Sequence, residues 1–213
     1  MQVKGGRLEL LVPHMLRGQL LRPGFVRLSL KLGLTRQMPA WAKLQFTNNG
    51  ITPRDLDRVL SRITSLESWA DEWENLGRAH ERAAEDAMAL GKLAEVGQEL
   101  LWASAAYNFA QYVVFMDPAR KKRLHDLCVR AYAAAGSHFT NPARPFEVEF
   151  RKRLVEGCLR LPDGPGPHPV VVIFNGTNGV KEELHCWSDE YLARGIATVT
   201  LDGPGLGATF HRL

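Results

Sequence analysis

The stretch from Val170 to Leu213 constrains this chain most. An apolar β-branched run, a Gly-rich turn, an amphipathic segment, a second β-branched run and an Asp-Gly-Pro-Gly loop follow one another there without a gap. Strand, helix and strand in direct succession form the unit from which α/β sheets are built. Val170-Val171-Val172-Ile173-Phe174 reads as a strand covered on both faces, since nothing polar interrupts it. It runs into Asn175-Gly176-Thr177-Asn178-Gly179, where glycines permit positive φ and a close approach of backbone to ligand. The spacing predicts a helix from about Val180 to Arg194, stopped by Gly195. Leu184, Trp187, Tyr191 and Leu192 take its apolar side, with Lys181, Glu182, Glu183, Asp189 and Glu190 mostly opposite. Ile196 to Leu201 is the next strand. Asp202-Gly203-Pro204-Gly205-Leu206-Gly207 is the loop at its carboxyl end, where open α/β sheets bind ligands.

Upstream the pattern divides into an N-terminal arm over residues 1–40, a helical domain over 41–140 and the α/β part over 141–213. Thr52-Pro53-Arg54-Asp55 is a helix start, with Thr52 as N-cap and Pro at the first helical position. A second helix, from about Ser68 to Leu90, carries Trp69, Trp73, Leu76, Ala83 and Ala87 at helical spacing. A third runs from Lys92 to about Met116, and Asp117-Pro118 starts a fourth that ends near Gly136. Paired amphipathic helices also suit a tetratricopeptide-like array, although no self-similarity of about 34 residues aligns across them. After the Pro-rich linker 141–145, Phe146-Glu147-Val148-Glu149-Phe150 alternates as a strand does, and Glu156 to Pro162 reads as its hairpin partner.

Composition narrows the classes. At 213 residues, 45% hydrophobic and 23% charged, the chain can bury a large core. The net charge of +4 comes from clusters near the ends, and prolines at 13, 23 and 39 break any long basic amphipathic helix in the arm. No window approaches the ~20 apolar residues that span a bilayer. Three widely spaced cysteines, Cys128, Cys158 and Cys186, suit reduced, buried thiols. The expectation is a cytoplasmic chain with a small-molecule substrate and with neither nucleic acid nor membrane as partner. The turn after Phe174 lacks the G-x-G-x-x-G spacing, so no nicotinamide or other cofactor is expected.

The run Phe174 to Glu183, then Trp187, Tyr191, Arg194-Gly195 and Asp202 to Gly207, resembles the opening of an α/β-hydrolase domain. The similarity is to the branch with an N-terminal helical domain, the 2,6-dihydroxypseudooxynicotine hydrolase-like and fermentation-respiration-switch esterase-like proteins. Phe46 to Ile51, Arg62-Ile63, Trp69 to Trp73 and the helix through Tyr107 and Tyr112 extend it upstream. The resemblance implies an α/β fold, with a helical domain before the first strands of an α/β-hydrolase sheet. It implies a serine-dependent hydrolase of an ester, or of a carbon–carbon bond next to a ketone.

Such an enzyme takes its nucleophile from G-x-S-x-G, with acid and histidine later in the chain. None of the seven serines here has glycine at both elbow positions, so the sheet is expected to be incomplete and the chain alone inactive. A fragment, half of a split enzyme and the product of an interrupted reading frame all suit this. The expected partner is a second copy or a complementary C-terminal fragment. A non-catalytic helical interaction module with a degenerate α/β remnant is the alternative.

Carried onto this chain, the resemblance assigns the oxyanion-hole donors to the backbone N–H groups of Gly176 and Thr177. It also sets the helical domain over the active site, which would turn Tyr107, Tyr112 or both into a substrate cavity. By spacing alone Trp102, Tyr107, Phe109, Tyr112 and Phe115 are core residues. Asp202 is expected to fix its loop. His125, His185 and His211 lack an adjacent nucleophile and are expected at the surface or between domains.

Overall fold

A computed structural model of the chain describes residues 38–176 and 179–212. The predicted arm before residue 38, and Thr177 of the turn, lie outside the described residues. Five helices come first: α1 (Ala40–Thr47), α2 (Pro53–Leu60), α3 (Leu66–Ala89), α4 (Leu93–Gln111) and α5 (Pro118–Gly136). Their starts are chemically marked. Thr52 accepts from Asp55 N at 3.1 Å, Ser65 and Ser68 form a reciprocal capping box, and Asp117 accepts from Arg120 N at 2.9 Å. Helices of 24, 19 and 19 residues are too long for a repeat of about 34 residues per pair.

The core of this half is aromatic. Phe46 lies 5.5 Å from Trp73 and 4.6 Å from Phe109, and the Trp69 indole donates to Phe109 O at 2.8 Å. Each such ring buries 150–250 Å², worth on the order of 4–6 kcal/mol before the entropy of ordering it is subtracted.

The second half opens with β1 (Arg144–Phe150) and β2 (Arg153–Arg160), a hairpin closed by Arg151 and Lys152 at φ 51° and 62°. β3 (Val170–Phe174) follows. A 3₁₀ turn (Lys181–Leu184) leads into α6 (His185–Leu192), then β4 (Ala197–Leu201) and α7 (Gly207–His211). Strand order is β1-β2-β4-β3, with β4 antiparallel to β2 and parallel to β3.

Two expectations fail here. β3 is not covered on both faces: it is an edge strand, and Val170, Val172 and Phe174 are 52–59% exposed. β4, whose edge would be the free one if strands paired in chain order, is held between β2 and β3. The helix after β3 also turns differently from its sequence pattern. Lys181 and Glu182 are buried while Trp187 is half-exposed, because the 3₁₀ turn shifts the helical phase and turns Lys181 towards Asp202 and Glu156, with Glu182 paired to Lys181.

Candidate functional site

Parallel β3 and β4 deliver their carboxyl ends to one side of the sheet, so the turn 175–180 and the loop 202–207 lie together. Asn175 Nδ2 donates to Val180 O and Gly179 N to Gly176 O, which closes the first turn. A side chain at Gly179 would overlap Asn175, whereas a Cβ at Gly176 would meet nothing within 4 Å among the described residues. Neither glycine has positive φ; close approach, at Gly179, is what the turn demands. Gly176 is exposed, and its N–H has no hydrogen-bond partner among the described residues.

Asp202 ties the turn to the loop. Fully buried at the end of β4, it accepts from Lys181 N at 2.7 Å and Lys181 Nζ at 3.1 Å, and from Ala208 N at 3.0 Å. Its own carbonyl takes the Thr209 hydroxyl at 2.7 Å. Gly207 makes this possible, with φ at +43° and no room for a Cβ beside the carboxylate. Lys181 also pairs with Glu182 at 2.8 Å and Glu156 at 3.2 Å. Burial opposes its charge, but Glu182, Asp202 and Glu156 outweigh that and hold its pKa above the ordinary lysine value. Burial likewise pushes the Glu182 carboxyl up, with Lys181 pulling the other way.

Glu183 fastens the same turn to the helical domain. Its carboxylate accepts from Asn49 Nδ2 at 2.6 Å, Asn108 Nδ2 at 3.1 Å and the Tyr112 hydroxyl at 2.8 Å. Burial raises its pKa against these donors. The helical domain is therefore hydrogen-bonded to the segment that follows the turn, and the turn does not stand alone.

Between the two halves lies a cleft of about 220 Å³. Gly179, Val180 and Gly205 to Gly207 form its floor, and Gln111, Phe115, Lys121, Phe210 and His211 its walls. Phe115 is 64% exposed, which removes it from the predicted core. Sequence reasoning missed this wall. Lys121 follows Asp117-Pro118 by one turn of α5, and only the fold sets it opposite the loops.

The predicted site residues separate. Gly176 follows the carboxyl end of β3 and is outside the cleft lining. Tyr107 is fully buried, packed on Gly77, with its hydroxyl donated to Glu81 at 2.6 Å. The Tyr112 hydroxyl belongs to Glu183. Neither tyrosine lines this cleft; both hydroxyls serve carboxylates of the chain itself.

His185 and His125, expected at the surface or between domains, are buried between them. His185 contacts Tyr132 OH at 3.2 Å and Asp189 at 3.3 Å, with Arg160 NH1 at 3.3 Å. His125 packs 4.8 Å from His211, and burial and then His211 press its pKa down to about 4. Among the described residues no group of three or more metal-ligating side chains forms, and no helix is long and apolar enough to cross a membrane.

Residues 67–212 match the family described as Esterase FrsA-like. The chain belongs to that family. It is 31% identical over 175 residues to 2,6-dihydropseudooxynicotine hydrolase of Paenarthrobacter nicotinovorans, covering 82% of this chain and 46% of that one. To Esterase FrsA of Vibrio parahaemolyticus it is 25% identical, over 79% of this chain and 44% of the relative. The crystal structure of 2,6-dihydroxy-pseudo-oxynicotine hydrolase superposes with a TM-score of 0.69 at 30% identity, over 80% of this chain and 47% of that one. Wild-type AbyA5, at 22% identity and a TM-score of 0.57, shares the fold. This FrsA-like chain thus carries a helical region and the first strands of an α/β-hydrolase sheet, and it spans under half the length of the relatives it matches.

Proposed function

We propose that this chain is the N-terminal portion of a serine-type α/β hydrolase. It would act on an ester, or a ketone-adjacent carbon–carbon bond, of a small molecule. Residues 41–140 serve as the lid and residues 141–213 bring the oxyanion turn, with the N–H groups of Gly176 and Thr177 as donors; the arm is residues 1–40. The observation that carries this reading is the Gly176 N–H. It is exposed and without a partner among the described residues, in the turn after the strand where hydrolases of this kind place one donor. Each such donor contributes on the order of 3 kcal/mol to the transition state.

Tyr112 enters through Glu183, by holding the segment beside the turn, and Tyr107 supports the lid from within its core. The exposed β3 edge supports pairing with a second copy or a complementary C-terminal fragment.

On p-nitrophenyl acetate the chain alone should show only background hydrolysis, since nucleophile and base are missing. Joined to the triad-bearing half of an FrsA-like relative it should turn the ester over, and Gly176→Val, whose β-branched side chain would obstruct the substrate's close approach to the N–H, should then lower kcat by about two to three orders of magnitude. A Cβ at 176 would meet nothing within 4 Å among the described residues, and a thermal melt of the variant separates loss of activity from loss of fold. Covalent labelling of the 213-residue chain by a serine-directed fluorophosphonate, or near-normal kcat in Gly176→Val, would overturn the proposal.

A further inference from the structure

The charges around the cleft are unbalanced. Among the described residues its lining contains Lys121 and His211 but no carboxylate. Lys121 is half-buried, and among the described residues it forms no ion pair: its ammonium donates to Gln111 O at 3.3 Å and lies 5.7 Å from the Phe115 ring centroid. Asp126, on the same helix, pairs with Lys122 at 2.7 Å instead. Asp202, below the floor, is taken up by Lys181 and two backbone N–H groups.

A partly desolvated ammonium normally finds a carboxylate, because a carbonyl and a ring face replace only part of its hydration. Burial accordingly lowers the Lys121 pKa. The apolar part of the lining comes from Phe115 and Phe210, 64% and 48% exposed, which offer flat faces to the same space. Behind His211, buried His125 keeps a ring nitrogen without a partner.

We infer that the cleft takes an anionic aromatic ligand, its carboxylate or equally delocalised oxyanion on Lys121 and its ring between Phe115 and Phe210. This deepens the hydrolase reading by naming the substrate class of its cleft, and it rests on that reading only for the ligand's being a substrate. Binding itself is independent of catalysis.

The test is an amide NMR titration of the full chain with sodium benzoate and, in parallel, with benzamide, a neutral molecule of the same shape. Benzoate should bind at least tenfold more tightly, with shifts concentrated on Gly205 to His211 and around Gly179. Lys121→Gln should abolish the preference and Lys121→Arg retain it. Lys122→Gln should leave it intact, since Lys122 is solvent-exposed and outside the lining. Equal binding of the two molecules, a preference that survives Lys121→Gln, or shifts confined to another face would overturn the inference. A Lys121-dependent preference for benzoate together with near-normal kcat in Gly176→Val would keep the anion site and sink the oxyanion assignment alone.

Discussion

Replacing Asp202 with alanine tests whether the two loops are held by one side chain. The carboxylate is 1% exposed, so water does not readily take over its bonds. Its removal strands the N–H groups of Lys181 and Ala208, at roughly 1–3 kcal/mol each. Lys181 also loses one of three carboxylates. Because Glu156 and Glu182 remain within 3.2 Å, that part should fall below the roughly 3–5 kcal/mol of stripping a buried charge of its sole partner.

The total is on the order of 4 kcal/mol, or about 10 °C in Tm for a chain of this size. Asparagine keeps an acceptor for one N–H and should cost about half as much. Denaturant unfolding gives the energies, and hydrogen exchange at the Lys181 and Ala208 amides locates them. If Asp202→Ala cost under about 1 kcal/mol and left both amides protected, the loops would have another support and the reasoning would fail.

His125 gives a pH dependence of known sign. Its folded pKa of about 4 lies below the ordinary 6.5, so the unfolded chain binds the proton more readily and stability is lost as pH falls from 6.5 towards 4. The loss is on the order of 3 kcal/mol across that window, and His125→Gln should flatten it in unfolding curves taken at pH 7 and pH 4.5. The β3 edge should drive association, and Val172→Lys, placed where the side chain is 52% exposed, should shift sedimentation towards monomer. An unchanged sedimentation profile would remove β3 from the interface.

What the sequence determined by itself is local. The caps at Thr52, Ser65 with Ser68, and Asp117 lie within three residues of the groups they satisfy, so helix starts were legible to within a few positions. The β-branched runs and the Gly-rich turns announced the strand-turn-helix-strand unit, and their letters carried the family. The hairpin turn at Arg151-Lys152 was not legible, because positive φ at two basic residues has no composition signal.

Tertiary structure decided everything that depends on which strand lies beside which. β3 reads as a buried strand because its residues are apolar, yet order β1-β2-β4-β3 sets it at the edge. Lys181 and Glu182 read as a solvated face, yet Glu156 from β2 and Asp202 just after β4 supply the charge that lets Lys181 be buried, and Lys181 in turn pairs with Glu182. Lys121 joined the site only because α5 crosses the carboxyl ends of the parallel strands. Hydrogen bonding and side-chain period act over a few residues and can be read along the chain; strand order and charge compensation arise between segments tens of residues apart, and no local pattern encodes them.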